Sequence, residues 1–302
     1  MTTSTIISGF ADEVSDDLIV QIKALKKLGW GHIDLRTVNG RNISSLSEKE
    51  FDHVHQQLAE NNIKIASFNS TIANWGRNAH DSFELDMAEM RNSIPHMKRA
   101  GVRFIRIMSY KVDTPAELGS DLESLIIGNI REIVRLAEDN GIVCLHENCE
   151  TWGGQSCHHS LRLLEQVNSP ALKLVFDTGN PVSMRYVDGG GPYNYQDSLK
   201  FFQEVREHVA YLHIKDARRV NGSINYTFPG EGQGRVKEIL NLIKAHDMAI
   251  PISIEPHVAV VFHDPSVEAP FEERWNTFID YGKRLVTMAE EAGITFSRTG
   301  SY

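Results

Sequence analysis

The sequence predicts an α/β fold, a single (β/α)8 barrel spanning residues 1–302, with 293–302 as a C-terminal tail. Three observations predict it. Eight short runs rich in β-branched and apolar residues are each followed by a helical pattern, and such alternation indicates parallel pairing. Composition does not shift along the 302 residues, a length close to that of one barrel. Four consecutive runs in the second half each carry a metal-type ligand at or near their end: Glu147, Asp177, His213 and Glu255, at steps of 30, 36 and 42 residues. Each step has room for one helix and one strand. The rival, an open doubly wound sheet, usually has fewer strands, and no GxGxxG follows the first one.

The elements follow in order. Ile6 to Phe10 is the first strand, and Ala11 to Val14 the loop after it. Ser15 reads as an N-cap with Asp16 and Asp17 in the first turn, and Leu18, Ile22, Leu25 and Leu28 mark a helical face closed by Gly29. His32 to Arg36 is the second strand. Ser47 and Glu50 form a capping-box pattern for a helix to about Asn61. Ile63 to Phe68 is the third strand. A helix from Ser82 to Ala100 follows, with Pro95 a site for a kink. Arg103 to Met108 is the fourth strand and Leu118 to Asn140 a long helix. Ile142 to Glu147, Leu172 to Asp177, Ala210 to Lys215 and Ile250 to Glu255 are strands five to eight. The helices His158–Val167, Tyr195–His208, Val236–His246 and Phe271–Ala292 alternate with them. The loops after the strands are the longer ones, as in Pro181 to Asn194 and Ala217 to Gly234, and barrel active sites lie at that end.

Hydrophobic residues make up 41% and charged residues 24%, the balance of a folded enzyme with a sizeable core. The formal charge of -9 lacks the basic excess of a nucleic-acid-binding surface. Cys144, Cys149 and Cys157 are odd in number and have no CxxC spacing, so they read as reduced thiols. No signal-peptide pattern and no apolar run of 18 residues are present, so the expectation is a cytoplasmic protein with no membrane partner. A homo-oligomer is left open.

Side chains alternate across a strand. With Glu147 inward, Leu145 and Val143 share its face and His146 faces the helices as a structural histidine. Asp177 shares a face with Val175, His213 with Tyr211 and Lys215, and Glu255 with Ser253 and His257. Strands lie about 4.8 Å apart, so four ligands at one level can meet on one ion. Two Glu, one Asp and one His form an oxygen-rich set. It favours Mn²⁺ or Mg²⁺, with Co²⁺ and Zn²⁺ as alternatives. Singly, each acid reads as a helix cap or solvated group; together, at matched positions, they read as a metal site.

Other residues carry weaker signals. Asp12 and Glu13 either contact a substrate or cap the next helix. Asp34 and Arg36 point inward or pair structurally. Lys215 and Asp216 support the ligands or contact a substrate. Trp152, beside Gly153 and Gly154, either walls a sugar face or packs a loop. The glycines near 190 and 232 match no phosphate-binding pattern and read as loop flexibility.

The motifs His146-Glu147-Asn148, Phe176-Asp177-Thr178-Gly179, His213-Ile214-Lys215-Asp216 and Ile254-Glu255 resemble the xylose-isomerase-like TIM-barrel superfamily over nearly the whole chain. That group holds ketose 3-epimerases, hydroxypyruvate isomerases, inosose dehydratases and endonuclease IV. The resemblance implies one divalent metal on Glu147, Asp177, His213 and Glu255, with Glu147 and Glu255 moving the proton. It implies substrate contacts at Arg219, six residues after the histidine, and at position 180, where Asn180 replaces the family's frequent histidine. The second glutamate of the epimerases is absent: the six-on position from Glu147 is Gly153. The expectation is a metal-dependent isomerase or epimerase of a small carbohydrate ketone, with an inosose-dehydratase-like lyase as the alternative. An endonuclease IV-like phosphodiesterase or a non-catalytic sugar-binding barrel ranks lower. Substrate-binding candidates are Glu13, Trp152, Asn180, Lys215, Asp216, Arg219 and His257.

Overall fold

The computed structural model describes residues 5–112, 120–184, 195–261 and 264–297. The eight expected strands form one parallel sheet. They are β1 (Ile7–Gly9), β2 (His32–Leu35), β3 (Lys64–Asn69), β4 (Phe104–Ile107), β5 (Val143–Glu147), β6 (Leu172–Asp177), β7 (Val209–Ile214) and β8 (Ile252–Ile254). Hydrogen-bonded neighbours run β2-β3-β4-β5-β6-β7-β8-β1, and β1 lies against β2, so the sheet curls into a barrel. Long helices separate the strands: α1 (Leu18–Leu28), α2 (Glu48–Glu60), α3 (Phe83–Ala100), α4 (Asp121–Glu138), α5 (Cys157–Val167), α6 (Ser198–Val205), α7 (Val236–Ala245) and α8 (Phe271–Glu291).

The main core lies between sheet and helices, and its largest members include Phe51, Phe68, Phe176, Phe202 and Phe278. A smaller cluster of Val143, Leu145, Val175 and Tyr211 fills the barrel interior. That confirms the inward face read from the alternation. Above these residues the interior turns polar. Asp34 accepts hydrogen bonds from Ser8, Ser67 and Tyr211, the last at 2.8 Å. A buried carboxylate tied to three strands in this way is a fixed floor under whatever lies above.

Local signals account for most helix ends. Gly29 and Gly101 close α1 and α3 at φ 72° and 66°, where a side chain is strained. Ser47 and Glu50 form the expected capping box. Asp17, not Ser15, caps α1, by accepting from the Ile19 amide at 2.7 Å. Ser15 instead accepts from the Asp17 amide. α3 runs without interruption past Pro95. Residues 294–297, expected as the start of a tail, pair alongside Thr5, and Ile294 is buried.

Three antiparallel hairpins were not foreseen. Thr37–Val38 pairs with Arg41–Asn42, Asp216–Val220 with Ser223–Thr227, and Val260–Val261 with Asp264–Glu268. The first two turn on Asn39-Gly40 and Asn221-Gly222, all four residues at positive φ. Asn-Gly is the sequence best suited to such a two-residue turn. All three hairpins follow barrel strands at their C-terminal ends, so they stand around the same mouth. The triple glycine at 189–191 lies outside the described residues.

Candidate metal centre

Glu147 and Asp177 are the last residues of β5 and β6, His213 is the penultimate residue of β7, and Glu255 follows β8 directly. Parallel pairing sets Asp177 opposite His213, and the Glu255 amide donates to Ile214 O at 3.0 Å. All four side chains are buried, and one donor atom from each lies within 4.8 Å of the others. The four residues expected from sequence are therefore together.

Main-chain clamps hold the strand ends. Asn148 accepts from the Asp177 amide at 2.6 Å and donates to Asp177 O at 3.0 Å, locking β5 to β6. Thr178 donates to Lys215 O at 2.6 Å and accepts from the Lys215 amide at 3.1 Å, locking the β6 end to the β7 end. Gly179 passes so close that a Cβ there would lie 2.7 Å from Lys215 Cγ. These clamps explain the residues beside the ligands in the sequence motifs.

Charges surround the four donors. Arg106 donates to Glu147 at 3.1 Å, and His213 Nδ1 lies 3.2 Å from the other Glu147 oxygen. Arg36 reaches Glu255 at 2.5 Å while gripping Asp12 with two nitrogens at 2.8 and 2.9 Å. Lys215 Nζ lies 3.0 Å from Glu255 and 3.1 Å from Asp177. Burial raises the Glu255 carboxyl, but Lys215, His257 and Arg36 outweigh it and hold it well below its usual range. In Glu147, Arg106 and His213 likewise overcome burial and lower the carboxyl. In Asp177 burial wins over Lys215 and raises it to about 6. Burial also raises Glu13 well above the usual range.

The charge balance is informative. Six buried carboxylates, Asp12, Glu13, Asp34, Glu147, Asp177 and Glu255, face three buried cations, Arg36, Arg106 and Lys215. Negative charge is in excess, and burial pushes up two of these carboxyls, Glu13 and Asp177. Asp177 Oδ2 is buried with no aligned hydrogen-bond donor. A divalent cation among the four residues would offset part of this excess. The residues fit a metal ion.

Glu147 and Glu255 line a cavity of about 520 Å³, with Asp177 and His213 buried beside them. Arg36, Arg106, Lys215, Asn180 and His257 line it, along with Tyr226 and Trp75 from the surrounding loops. Asn180, Lys215 and His257 are thus placed as expected. His257 sits at φ 54° and its Nδ1 lies 2.8 Å from Glu13, so Glu13 stands behind it. Three other candidates lie elsewhere. Trp152 is fully buried, its ring edge-on to His159, so it packs a loop and walls no site. Asp216 faces away and accepts four backbone amides, from Ala217, Gly230, Gly232 and Gly234. The glycines near 232 are therefore needed for close approach: a Cβ on Gly232 would collide with the Asp216 carboxylate. Arg219 lies over the Tyr195 ring and donates to Val182 O, in a separate cavity of about 340 Å³.

Sequence reading passed over Arg106, Tyr226 and Trp75. Arg106 carried a signal, since it is a cation at an inward position of an otherwise apolar strand.

A family model described as xylose isomerase-like TIM barrel matches residues 22–266. No curated protein matches the chain in sequence. Several solved structures share the fold. A xylose isomerase-like TIM barrel protein from Mycobacterium smegmatis in complex with magnesium is 17% identical with TM-score 0.70, over 96% of this chain and 98% of that one. The IOLI protein with a bound zinc atom is 14% identical with TM-score 0.73, over 95% and 99%. The D-allulose 3-epimerase from Methylomonas sp. in complex with D-allulose is 17% identical with TM-score 0.67, over 96% and 98%.

Proposed function

The chain belongs to the xylose isomerase-like TIM-barrel family, and from that premise we propose that it is a divalent-metal-dependent isomerase or epimerase of a small keto sugar or polyol ketone. The observation that carries this reading is the convergence of Glu147, Asp177, His213 and Glu255, with Glu147 and Glu255 open to a cavity. Magnesium, zinc and D-allulose in similar structures support it. The oxygen-rich ligand set favours Mn²⁺. When bound, the metal would act as a Lewis acid on the substrate carbonyl and adjacent hydroxyl.

The chain's own residues do the rest. Arg106 and His213 keep Glu147 ionised, and Lys215, His257 and Arg36 keep Glu255 ionised, so both are able to accept a proton at neutral pH. They lie on opposite sides of Asp177 and His213 in the strand order, so they approach a bound substrate from different directions. One takes the proton from the carbon next to the carbonyl. Return by the other inverts that carbon, and return at the neighbouring carbon moves the carbonyl. Lys215 lies among these carboxylates and adds a positive charge to stabilise the anion formed between the two steps.

The test is solvent exchange. Substrate turned over in D₂O should gain deuterium α to the carbonyl, and Glu147→Gln and Glu255→Gln should each lower turnover by about 10²-fold or more. Turnover with no deuterium uptake and no dependence on added metal would refute the reading.

A further inference from the structure

Each carboxylate of the four-residue cluster has one oxygen already engaged. Asp177 Oδ1 accepts from the amides of Gly179 at 2.8 Å and Asn180 at 2.7 Å. Glu255 Oε1 accepts from Arg36 at 2.5 Å, and Glu147 Oε2 from Arg106 at 3.1 Å. The oxygens left for an ion are Asp177 Oδ2, Glu255 Oε2 and Glu147 Oε1, the last 3.2 Å from His213 Nδ1.

Two of those three oxygens already face a cation of the chain itself. Lys215 Nζ lies 3.1 Å from Asp177 Oδ2 and 3.0 Å from Glu255 Oε2. A divalent ion binds a carboxylate oxygen at about 2.0–2.2 Å. Bound to both of these oxygens, it would stand against the ammonium in a buried site, where like charges are poorly screened. The ion and the lysine therefore compete for one place.

The other two buried cations differ. Arg36 also grips Asp12 with two nitrogens, and Arg106 also donates to Ser70 O at 3.3 Å. Each has an anchor outside the four residues and leaves Oδ2 and Oε2 alone. Among the described residues, both ion-pair partners of Lys215 Nζ belong to the four.

Lys215 is fixed at its root and mobile at its head. Thr178 holds its carbonyl and its amide, and the stem passes Gly179 so closely that a Cβ there would lie 2.7 Å from Lys215 Cγ. Beyond that point the stem is unbranched and flexible. Lys215 also lines the 520 Å³ cavity, beside Asn180, Tyr226 and His257. The amine has room to turn away from the carboxylates with the backbone in place.

We propose that Lys215 is a tethered competitor of the metal: its ammonium and the divalent ion take Asp177 Oδ2 and Glu255 Oε2 alternately, and metal entry turns the amine out toward the cavity. The lysine lowers the affinity of the centre, and loading the metal moves a positive charge to the side where substrate binds. This inference rests on the four-residue metal centre of the function proposed above.

Two readouts test it, and neither needs turnover. Mg²⁺ and Mn²⁺ would be titrated calorimetrically into metal-stripped wild type and Lys215→Met, with circular dichroism confirming that the variant folds. Lys215→Met should bind both ions at least about tenfold tighter, because a buried like charge is gone. The second readout is the reactivity of the amine in wild type. Reductive methylation with ¹³C-formaldehyde and cyanoborohydride, read by peptide mass spectrometry, should label Lys215 at least about fivefold faster in Mg²⁺-saturated protein than in metal-stripped protein. The exposed Lys49 should keep its rate. This arm needs no variant, so it decides the matter even if Lys215→Met does not fold. Metal binding no tighter in folded Lys215→Met, or equal Lys215 labelling with and without bound ion, would overturn the inference and leave the metal centre standing. A wild-type protein that binds neither ion would overturn both. Tighter binding and faster labelling without metal-dependent deuterium uptake would sink the proposed reaction and leave the role of Lys215 intact.

Discussion

Replacing Asp216 with alanine should cost the fold about 4 kcal/mol, and the figure follows from where its four donors lie. The carboxylate accepts from the amides of Ala217 at 2.9 Å, Gly230 at 2.8 Å, Gly232 at 3.0 Å and Gly234 at 2.8 Å. Gly230 is exposed and Gly232 half-buried, so both amides can turn to water in the variant. Ala217 and Gly234 are buried and lose their acceptor outright. A stranded buried donor costs about 1–3 kcal/mol, so two cost about 4. At ~2.1 cal/mol/K of unfolding entropy per residue, a chain of 302 residues would melt about 6 °C lower. Asp216→Asn keeps one carbonyl oxygen and should lose about half as much. Burial already pushes the Asp216 carboxyl above its usual range, so the neutral amide is the less costly group to hold there. Urea unfolding followed by circular dichroism measures the loss. Hydrogen exchange at residues 217–236 locates it, because the hairpin that walls the cavity hangs from this anchor. A loss below about 1 kcal/mol, with exchange at Gly234 unchanged, would refute the reasoning.

Two further outcomes are expected. The wild-type protein should hold one divalent ion per chain, and Asp177→Ala should hold almost none by elemental analysis; equal metal content in the two would remove Asp177 from the ligand set. Burial lowers the His146 imidazole to about 4 from 6.5, against the opposing pull of Glu147. The unfolded chain therefore binds this proton first as pH falls, so the stability due to neutral His146 is complete above pH 6.5 and is lost progressively toward pH 4. At 1.36 kcal/mol per unit the loss is about 3 kcal/mol. His146→Gln should flatten the stability curve by that amount between pH 7 and 4, and an unchanged slope would show that His146 is not the group responsible.

The barrel was legible because its strands are buried on both faces and read as short apolar runs with abrupt ends. The candidate ligand set was legible for the same reason: Glu147 and Asp177 interrupt such runs at their last position. The hairpins were less visible because Asp216–Val220 and Ser223–Thr227 are mostly polar and lack an apolar stripe. Their Asn221-Gly222 turn was a readable signal that the length of the loop masked. Trp152 was assigned by its place beside two glycines and Arg219 by the family's spacing from His213, and position along the chain is a poor guide in loops. Trp152 turns inward toward His159, while Arg219 leaves the cavity because the hairpin strand carries it toward Tyr195. Arg36 and Arg106 show the opposite case. Each is distant in sequence from the glutamate it touches, and only closure of the barrel brings them together.

Among the described residues each of the three hairpins forms its own two-stranded ladder, and none shares a ladder with the barrel. The ligands, in contrast, are set by strand register and by the Asn148 and Thr178 clamps. On the proposed function, recognition and reaction thus occupy mechanically separate parts of the molecule. A wall can be lengthened, shortened or exchanged without shifting the register that aligns the four ligands. A laboratory search for new substrates should therefore diversify residues 218–226, leave Asp216 and the glycines that surround it intact, and keep every barrel strand as it is.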